Sequence, residues 1–308
     1  MTNHPKLPKG ISLLERGWLS SNNILICGSA HCALIDSGYA THAGQTLALV
    51  QAGLNGRALD VLVNTHLHSD HCGGNAALQT RYPNLQTLIP PGQAAHVATW
   101  DPYALSYTPT GQICEPYTFS ATLQPNTEIA LGDQMWQIHA APGHDPSSVI
   151  LFEATSRLLL SADALWENGF GVVFPELDGV NAFTEVAQTL DLIEALDAKT
   201  VIPGHGQAFT DVADALTRAR KRLNSFVNDP AKHTRYAAKV LLKFKLLEAQ
   251  TLTFDALRAW AKATDLVAHL HQADASHISF EIWVDQLVTE LVRSGAATRD
   301  QQTIQKKN

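Results

Sequence analysis

The segment at residues 58–66, with the sequence ALDVLVNTH, most limits how this chain can fold. Its apolar and β-branched residues predict a strand buried on both faces, and the run ends abruptly in polar residues. His68, Asp70 and His71 follow within five positions, and Cys72 and two glycines come next. The sequence therefore predicts a buried strand that delivers three histidines and an aspartate to one tight turn.

This turn carries the donor types of a metal site. Imidazole and carboxylate groups suit zinc and also iron or manganese, and the pattern contains no thiolate cage. Four adjacent buried donors without a cation would leave several polar atoms unsatisfied. We therefore predict that His66, His68, Asp70 and His71 bind metal. Cys72 is expected to be a small buried residue, because the ligand set is complete without it.

Three later positions repeat the arrangement of an apolar strand followed by a polar donor. His144 lies in Ala-Pro-Gly-His-Asp, Asp163 in Leu-Ser-Ala-Asp-Ala, and His205 in Ile-Pro-Gly-His-Gly. A sheet presents side chains at one edge where its strands end, so these three residues are expected to complete the site. Trp166, Phe170 and Phe174 follow on a glycine-rich loop, where they either wall the pocket or pack beneath the loop.

Strand and helix patterns succeed one another up to about residue 228. The predicted strands lie within residues 24–38, 58–66, 87–91, 128–143, 149–163 and 200–206, and the predicted helices at 42–53, 181–198 and 211–227. Beyond residue 229 the strand patterns disappear, and three or four helices and a polar tail are predicted. We therefore predict two domains, at residues 1–228 and 229–308.

Four motifs follow one another along the chain: HxHxDH, PGH, an aspartate after a strand, and PGHG. From residue 24 to about residue 225, this order resembles the metallo-β-lactamase-fold hydrolase superfamily. The resemblance implies an α+β fold, a four-layer αββα sandwich with the metals at one edge between two sheets. The helices after residue 229 resemble the small, winged-helix-like C-terminal module of the LACTB-2-like branch. The implied ligands of one metal are His66, His68 and His144, those of the other are Asp70, His71 and His205, and Asp163 bridges them.

Two cations within about 4 Å can share a water and lower its pKa towards neutrality, while one of them polarises the scissile group. The expected enzyme is therefore a binuclear metal-dependent hydrolase that uses a metal-bridging hydroxide on a small ester, thioester, lactone or related substrate. Two divalent ions are expected as cofactors, Zn²⁺ first and Fe or Mn as alternatives. Asp70 is the candidate catalytic residue, since it could orient the hydroxide as well as bind metal.

Other activities of the same fold stay open at this point, because a fold does not fix a function. The late motif at residues 203–206 is Pro-Gly-His-Gly, which differs from the Cys-Gly-His-Glu-Tyr type of glyoxalase II. RNA-processing members carry a large inserted domain, whereas only about 40 residues separate Asp163 from His205. The alternatives are a mononuclear iron dioxygenase of the persulfide type, a phosphodiesterase, and a ligand-binding regulatory protein with a vestigial site.

The charge and hydropathy of the chain limit the kinds of partner that it can bind. The formal net charge of -7 gives no broad attraction to nucleic acid or anionic lipid. No apolar run approaches the roughly 20 residues of a membrane span, and the first residues lack a secretory core. We therefore expect a cytoplasmic protein with a small-molecule substrate, no nucleic-acid or membrane partner, and a homodimer as an option. The four cysteines lack CxxC spacing and are expected to be reduced.

Overall fold

The computed structural model describes residues 5–300 and 303–306. The chain forms two compact units. One runs to Leu105 and resumes from Ile113 to Leu223, and the other comprises Ser106–Gln112 and the chain from Asn224 onward. The domain division predicted from the sequence, at residues 1–228 and 229–308, stays a prediction.

The first unit contains two mixed β-sheets. The six-stranded sheet has the order β1 to β6, in which β1 to β3 pair antiparallel and β3 to β6 pair parallel. Its strands are β1 Ile11–Leu14, β2 Asn23–Cys27, β3 Cys32–Ile35, β4 Val61–Val63, β5 Gln86–Ile89 and β6 Ala121–Thr122. The five-stranded sheet has the order β11-β10-β9-β8-β7. Its strands are β7 Thr127–Leu131, β8 Gln134–Ala140, β9 Val149–Glu153, β10 Leu158–Ala162 and β11 Thr200–Pro203.

Helices follow or connect these strands. They are α1 Ala43–Leu54, α2 Ser69–Cys72, α3 Asn75–Arg81, α4 Ala94–Thr99, α6 Phe174–Leu177, α7 Phe183–Ala195 and α8 Val212–Asn228, with α5 Tyr107–Thr110 in the second unit. The helices predicted at 42–53, 181–198 and 211–227 are confirmed as α1, α7 and α8. The strand predicted at 58–66 is present as β4, although it is only three residues long.

The core explains why the two sheets face each other. Successive side chains of a strand point to opposite faces, and in β2 this sends Ile24 and Ile26 to one apolar cluster and Leu25 to another. The first cluster joins residues of both sheets, including the fully buried Trp136. The second joins the six-stranded sheet to α1 and α3, through residues such as Val50. The predicted pair of sheets with helices outside is therefore confirmed.

In its described residues, the second unit contains four further helices and a small antiparallel sheet of order β12-β14-β13. Its elements after α8 are α9 Pro230–Ala249, β12 Thr251–Thr253, α10 Phe254–Ala263, α11 Asp265–Ala275, α12 Phe280–Arg293, β13 Ala297–Arg299 and β14 Thr303–Lys306. The helical C-terminal region is confirmed, but the prediction that strands are absent beyond residue 229 was wrong, and the predicted polar tail contains β13 and β14. Strands of three or four residues are too short for an alternating pattern, yet β14 buries Ile304 completely. Residues 301–302 and 307–308 of that tail lie outside the described residues.

The cysteines differ from expectation in one respect. Cys27 and Cys32 face each other across the β2–β3 hairpin and form a disulfide, so the prediction of four reduced thiols was wrong for this pair. Cys72 is fully buried, as expected. Within the described ranges, no helix is both long and apolar enough to cross a bilayer.

Candidate metal centre

The seven predicted ligands meet at one edge of the two sheets. In the five-stranded sheet, β8 and β9 are antiparallel, β9 and β10 are antiparallel, and β10 and β11 are parallel, so β8, β10 and β11 end at the same edge. Each of these strands is followed by one ligand: His144, Asp163 and His205 respectively. The other four ligands, His66, His68, Asp70 and His71, come from the turn after β4 and from α2.

Three histidines form the first group of donors. Nδ1 of His68 lies 2.8 Å from Nε2 of His144, which lies 3.3 Å from Nε2 of His66. All three donor atoms fall within 4.8 Å of one another, a spacing that could hold a metal ion. We call this group the first triplet.

The second triplet consists of Asp70, His71 and His205. Oδ2 of Asp70 lies 3.0 Å from Nε2 of His205 and 3.9 Å from Nε2 of His71. These atoms also fall within 4.8 Å of one another. Two imidazoles and one carboxylate form a donor set that suits zinc, iron or manganese.

Asp163 lies between the two triplets. Its Oδ2 is 3.5 Å from Nε2 of His144 in the first triplet. Its Oδ1 is 3.4 Å from Nε2 of His71 and 3.8 Å from Nε2 of His205 in the second. The structure thus brings all seven predicted residues together, with the carboxylate of Asp163 between the two triplets.

Local backbone features direct Asp163 into this position. The register of β10 against β11 shifts between Leu160 and Ala162, and Ala162 has a φ of 46°. Such an irregularity at a strand end bends the chain and changes where the next side chain points. Gly204, on the neighbouring strand end, leaves room for the carboxylate, because a Cβ there would overlap Oδ1 of Asp163.

Asp36 is a further residue at this centre, which the sequence analysis did not select. It follows β3, the parallel neighbour of β4, and is buried. Its carboxylate accepts hydrogen bonds from the backbone N–H and hydroxyl of Thr65, and its Oδ2 lies 2.7 Å from Nδ1 of His71. A partner of this kind fixes the tautomer and the ring orientation of a ligating histidine.

His144 and His66 of the first triplet also have partners, on the ring nitrogen that points away from the other donor atoms. Nδ1 of His144 lies 2.5 Å from the carbonyl oxygen of Val172, and Nδ1 of His66 lies 3.2 Å from the hydroxyl of Thr65. In both cases Nε2 is left to face the centre, which is the state that metal binding requires.

Burial and neighbouring charges lower the pKa values of two histidines of the first triplet, His66 and His68. Burial and the neighbouring His71 hold the pKa of His66 well below its ordinary value. Burial and the adjacent His144 lower the pKa of His68 to about 3. Both imidazoles are therefore neutral at physiological pH, with a lone pair available for a metal.

His71 of the second triplet and Asp163 favour opposite charges in the absence of a cation. Burial lowers the pKa of His71, but the carboxylates of Asp36, Asp163 and Asp70 outweigh this and raise it well above its ordinary value. Burial raises the pKa of Asp163, but His205 and His71 outweigh it and hold that pKa well below its usual range. The site therefore favours positive charge placed between its carboxylates.

The donor arrangement fits bound metal ions. Nε2 of His71 is buried and makes no hydrogen bond within the described part of the chain, although it points towards two carboxylates. Orphaned buried nitrogen atoms are costly, and a cation would satisfy this one.

Aromatic side chains flank both triplets. The Phe174 ring lies 4.8 Å from the His68 ring, measured between centroids, beside the first triplet. Trp166 lies beside the second, 5.6 Å from His205, and its Nε1 donates to Oδ1 of Asp163 at 3.1 Å. Phe170, by contrast, is only 1% exposed and packs beneath the loop. Trp18, which the sequence analysis missed, stacks on His205 from an N-terminal loop without a recognisable motif.

Comparisons with known proteins agree with this geometry. The sequence model of the Metallo-beta-lactamase superfamily matches residues 16–205. The chain is similar to the type A flavoprotein fprA of Rhodobacter capsulatus, with 26% identity over 67% of this chain and 49% of that protein. It is 31% identical to a hydroxyacylglutathione hydrolase of Anaeromyxobacter dehalogenans over 62% of this chain and 64% of that protein. The chain thus spans about half to two thirds of the length of these relatives.

A solved structure supports the fold over nearly the whole chain. The metallo-beta-lactamase family protein TTHA1429 of Thermus thermophilus superposes with a TM-score of 0.59 at 18% identity, covering 98% of this chain and all of that one. The family match covers more than half of the chain and includes all seven clustered residues. The chain belongs to the metallo-beta-lactamase superfamily.

Proposed function

We propose that this protein is a binuclear metal-dependent hydrolase that acts on a small ester, thioester or lactone. The position of Asp163 carries the proposal, because its two oxygens face different ligand triplets. A carboxylate in this position is suited to bridge two cations. The proposed ligands of one ion are His66, His68 and His144, and those of the other are Asp70, His71 and His205.

The bound ions would supply Lewis acidity towards a carbonyl oxygen and would lower the pKa of a water molecule between them. Asp70 is the proposed orienting group for that water. Burial raises its pKa, but His71 and the hydrogen bond with His205 outweigh burial and lower it, so the side chain is a carboxylate that accepts hydrogen bonds. Its side chain is also more exposed than that of Asp163, at 14% against 7%.

The surroundings favour an acyl substrate of low polarity. Phe174, Trp166 and Trp18 place apolar ring surface beside both triplets. The named activity of the hydroxyacylglutathione hydrolase relative concerns an acylglutathione, which is a thioester. We therefore propose an uncharged acyl group, with a thioester as the first class to test and a small molecule as the partner.

Metal content is the first experiment. We expect about two zinc, manganese or iron ions per chain when the protein is purified without chelators or metal-binding tags. His68→Ala should lose the ion of the first triplet, because a shared site opens when a ligand is removed. His139→Ala is the matched control, since this half-buried histidine of β8 contacts Gln137 and belongs to neither triplet.

Activity is the second experiment. We would screen thioesters with apolar acyl groups, then aryl esters, lactones and phosphodiesters, against the metal-loaded protein. Hydrolysis that is lost in His68→Ala and kept in His139→Ala supports the proposal. A single iron per chain with oxygen consumption on a persulfide would replace it with the dioxygenase activity, and no turnover with no metal would identify a vestigial site.

A further inference from the structure

His205 differs from His66, His71 and His144 in how its ring is held. Its Nε2 faces Asp70, so a metal bound there would leave the ring proton on Nδ1. That Nδ1 is buried and has no hydrogen-bond partner among residues 5–300 and 303–306. In contrast, His71, His144 and His66 each have an oxygen next to Nδ1. Ligating histidines almost always have such a partner, so something else must orient His205.

Two indole rings take the place of the missing hydrogen bond. The ring of Trp18 lies nearly parallel to the imidazole of His205, at an interplanar angle of 8° and a centroid distance of 5.3 Å. Trp166 meets the same imidazole edge to face at 5.6 Å, and it also contacts Trp18 at 5.2 Å and 73°. Both indole rings thus contact the imidazole, Trp18 in a stacked arrangement and Trp166 in a T-shaped one.

The stack should respond to the metal. An imidazole that binds a divalent cation loses electron density, and a cation-like ring within about 6 Å of an indole face is stabilised by the indole quadrupole. The stack would therefore favour the metal-bound form of His205 over its free form. Trp18 also remains 51% exposed, so its indole can be replaced without opening a cavity in the core.

We propose that Trp18 is a positioning residue for His205 and thereby sets the affinity of the second triplet for metal. This inference rests on the proposed binuclear function. It predicts that the two metal ions bind with separable affinities and that only the ion at Asp70, His71 and His205 depends on the indole. The effect of Trp166 on metal affinity should be less selective for one ion. Its Nε1 also donates a hydrogen bond to Asp163, which faces both triplets.

The test measures metal affinity rather than turnover. Chelator-stripped wild type, Trp18→Ala, Trp18→Leu and Trp18→Phe would be titrated with Co²⁺, using the ligand-field spectrum and equilibrium dialysis to obtain both dissociation constants. Loss of an outer partner of a ligating histidine typically weakens binding 10–100-fold. We expect a weakening of that order for the second ion in Trp18→Ala, and little change for the first.

Two comparisons separate stacking from simple bulk. Trp18→Leu keeps apolar volume without an aromatic face and should behave like Trp18→Ala, whereas Trp18→Phe should recover most of the affinity. Met135→Ala removes a side chain of equal exposure, 51%, from β8 and should leave both constants unchanged. The melting temperatures of the metal-free variants would show that each one folds.

The outcomes distinguish this inference from the proposed function. Two ions in the wild type with unchanged constants in Trp18→Ala, or with equal weakening of both ions, would overturn the role of Trp18 alone. Full recovery in Trp18→Leu would also overturn it, since bulk would then be sufficient. A wild type that binds one ion would overturn the binuclear function and the inference together.

Discussion

Oδ2 of Asp36 lies 2.7 Å from Nδ1 of His71, and this contact determines which nitrogen of the histidine faces the metal centre. The carboxylate also receives two hydrogen bonds from Thr65, the residue before the first ligand. Asp36 therefore connects the end of β3 to the ligand turn after β4. A buried carboxylate with three donors around it has little freedom to rotate.

The first prediction concerns Asp36→Asn. The amide of asparagine has one acceptor oxygen, and its NH₂ group would replace a carboxylate oxygen that now accepts a hydrogen bond. His71 would therefore lose the contact that fixes its orientation. We expect the ion of the second triplet to bind about 10–100-fold more weakly. The free energy of unfolding should fall by about 1–3 kcal/mol, from the unsatisfied buried groups. Dialysis against a metal buffer and urea denaturation would measure the two effects.

Asp60→Asn is the matched control for this prediction. Oδ2 of Asp60 accepts the backbone N–H of Cys32 at 2.8 Å, outside the ligand groups. It should lose some stability and no metal affinity. Equal loss of metal in both variants would show that Asp36 acts only through the stability of the fold.

The second prediction separates the proposed bridging residue from an ordinary ligand. Asp163→Asn should reduce the content of both metal ions, since its two oxygens face different triplets. His68→Ala should reduce only the ion of the first triplet. Elemental analysis of both variants after the same purification would test this. A variant Asp163→Asn that keeps two tightly bound ions would exclude a bridge.

Much of this site could be predicted because its ligands are marked locally. Each one follows an apolar strand within a few residues, and strands that end at one edge bring such donors together. Asp36 obeys the same rule, but a single aspartate before Ser-Gly looks like any strand end in a sequence. Its role depends on β3 pairing in parallel with β4, which is a tertiary fact.

Other features depend even more on tertiary contacts. Trp18 reaches His205 across a separation of 187 positions, and no periodic pattern connects the two. The strands β13 and β14 are short, and their stability comes from pairing and from the burial of Ile304. Sequence patterns report strands through repeated alternation, so elements of three or four residues give little signal.

The third prediction concerns Gly204→Ala. The added Cβ would overlap Oδ1 of Asp163 and approach the backbone of Ala162, which has little freedom to move. We expect loss of metal from the centre and a fall in stability of about 1–3 kcal/mol, the usual cost of overpacking. Gly44→Ala in α1 is the control, because nothing lies near its added Cβ and alanine favours a helix. A metal content that is unchanged in Gly204→Ala would contradict the proposed role of this glycine.

The fourth prediction concerns the second unit and uses His233 of α9. This side chain is 1% exposed beside the ring of Phe226, and burial lowers its pKa to about 4. An unfolded histidine titrates near pH 6.5, so between about pH 6.5 and 4 only the unfolded state takes up this proton. The contribution of neutral His233 to the free energy of unfolding is therefore complete above pH 6.5. As the pH falls towards 4, the free energy of unfolding decreases by on the order of 3 kcal/mol.

His233→Leu should reduce this loss of stability between pH 7 and pH 5, measured by urea denaturation of the metal-free protein. His277→Leu, at an exposed position, controls for the removal of a histidine as such. An NMR titration of the His233 ring provides a direct check, with a midpoint near pH 4 expected from its burial. A midpoint near 6.5 would mean that the ring is hydrated in solution. Any pH dependence of the stability of the second unit would then have to come from another titratable residue.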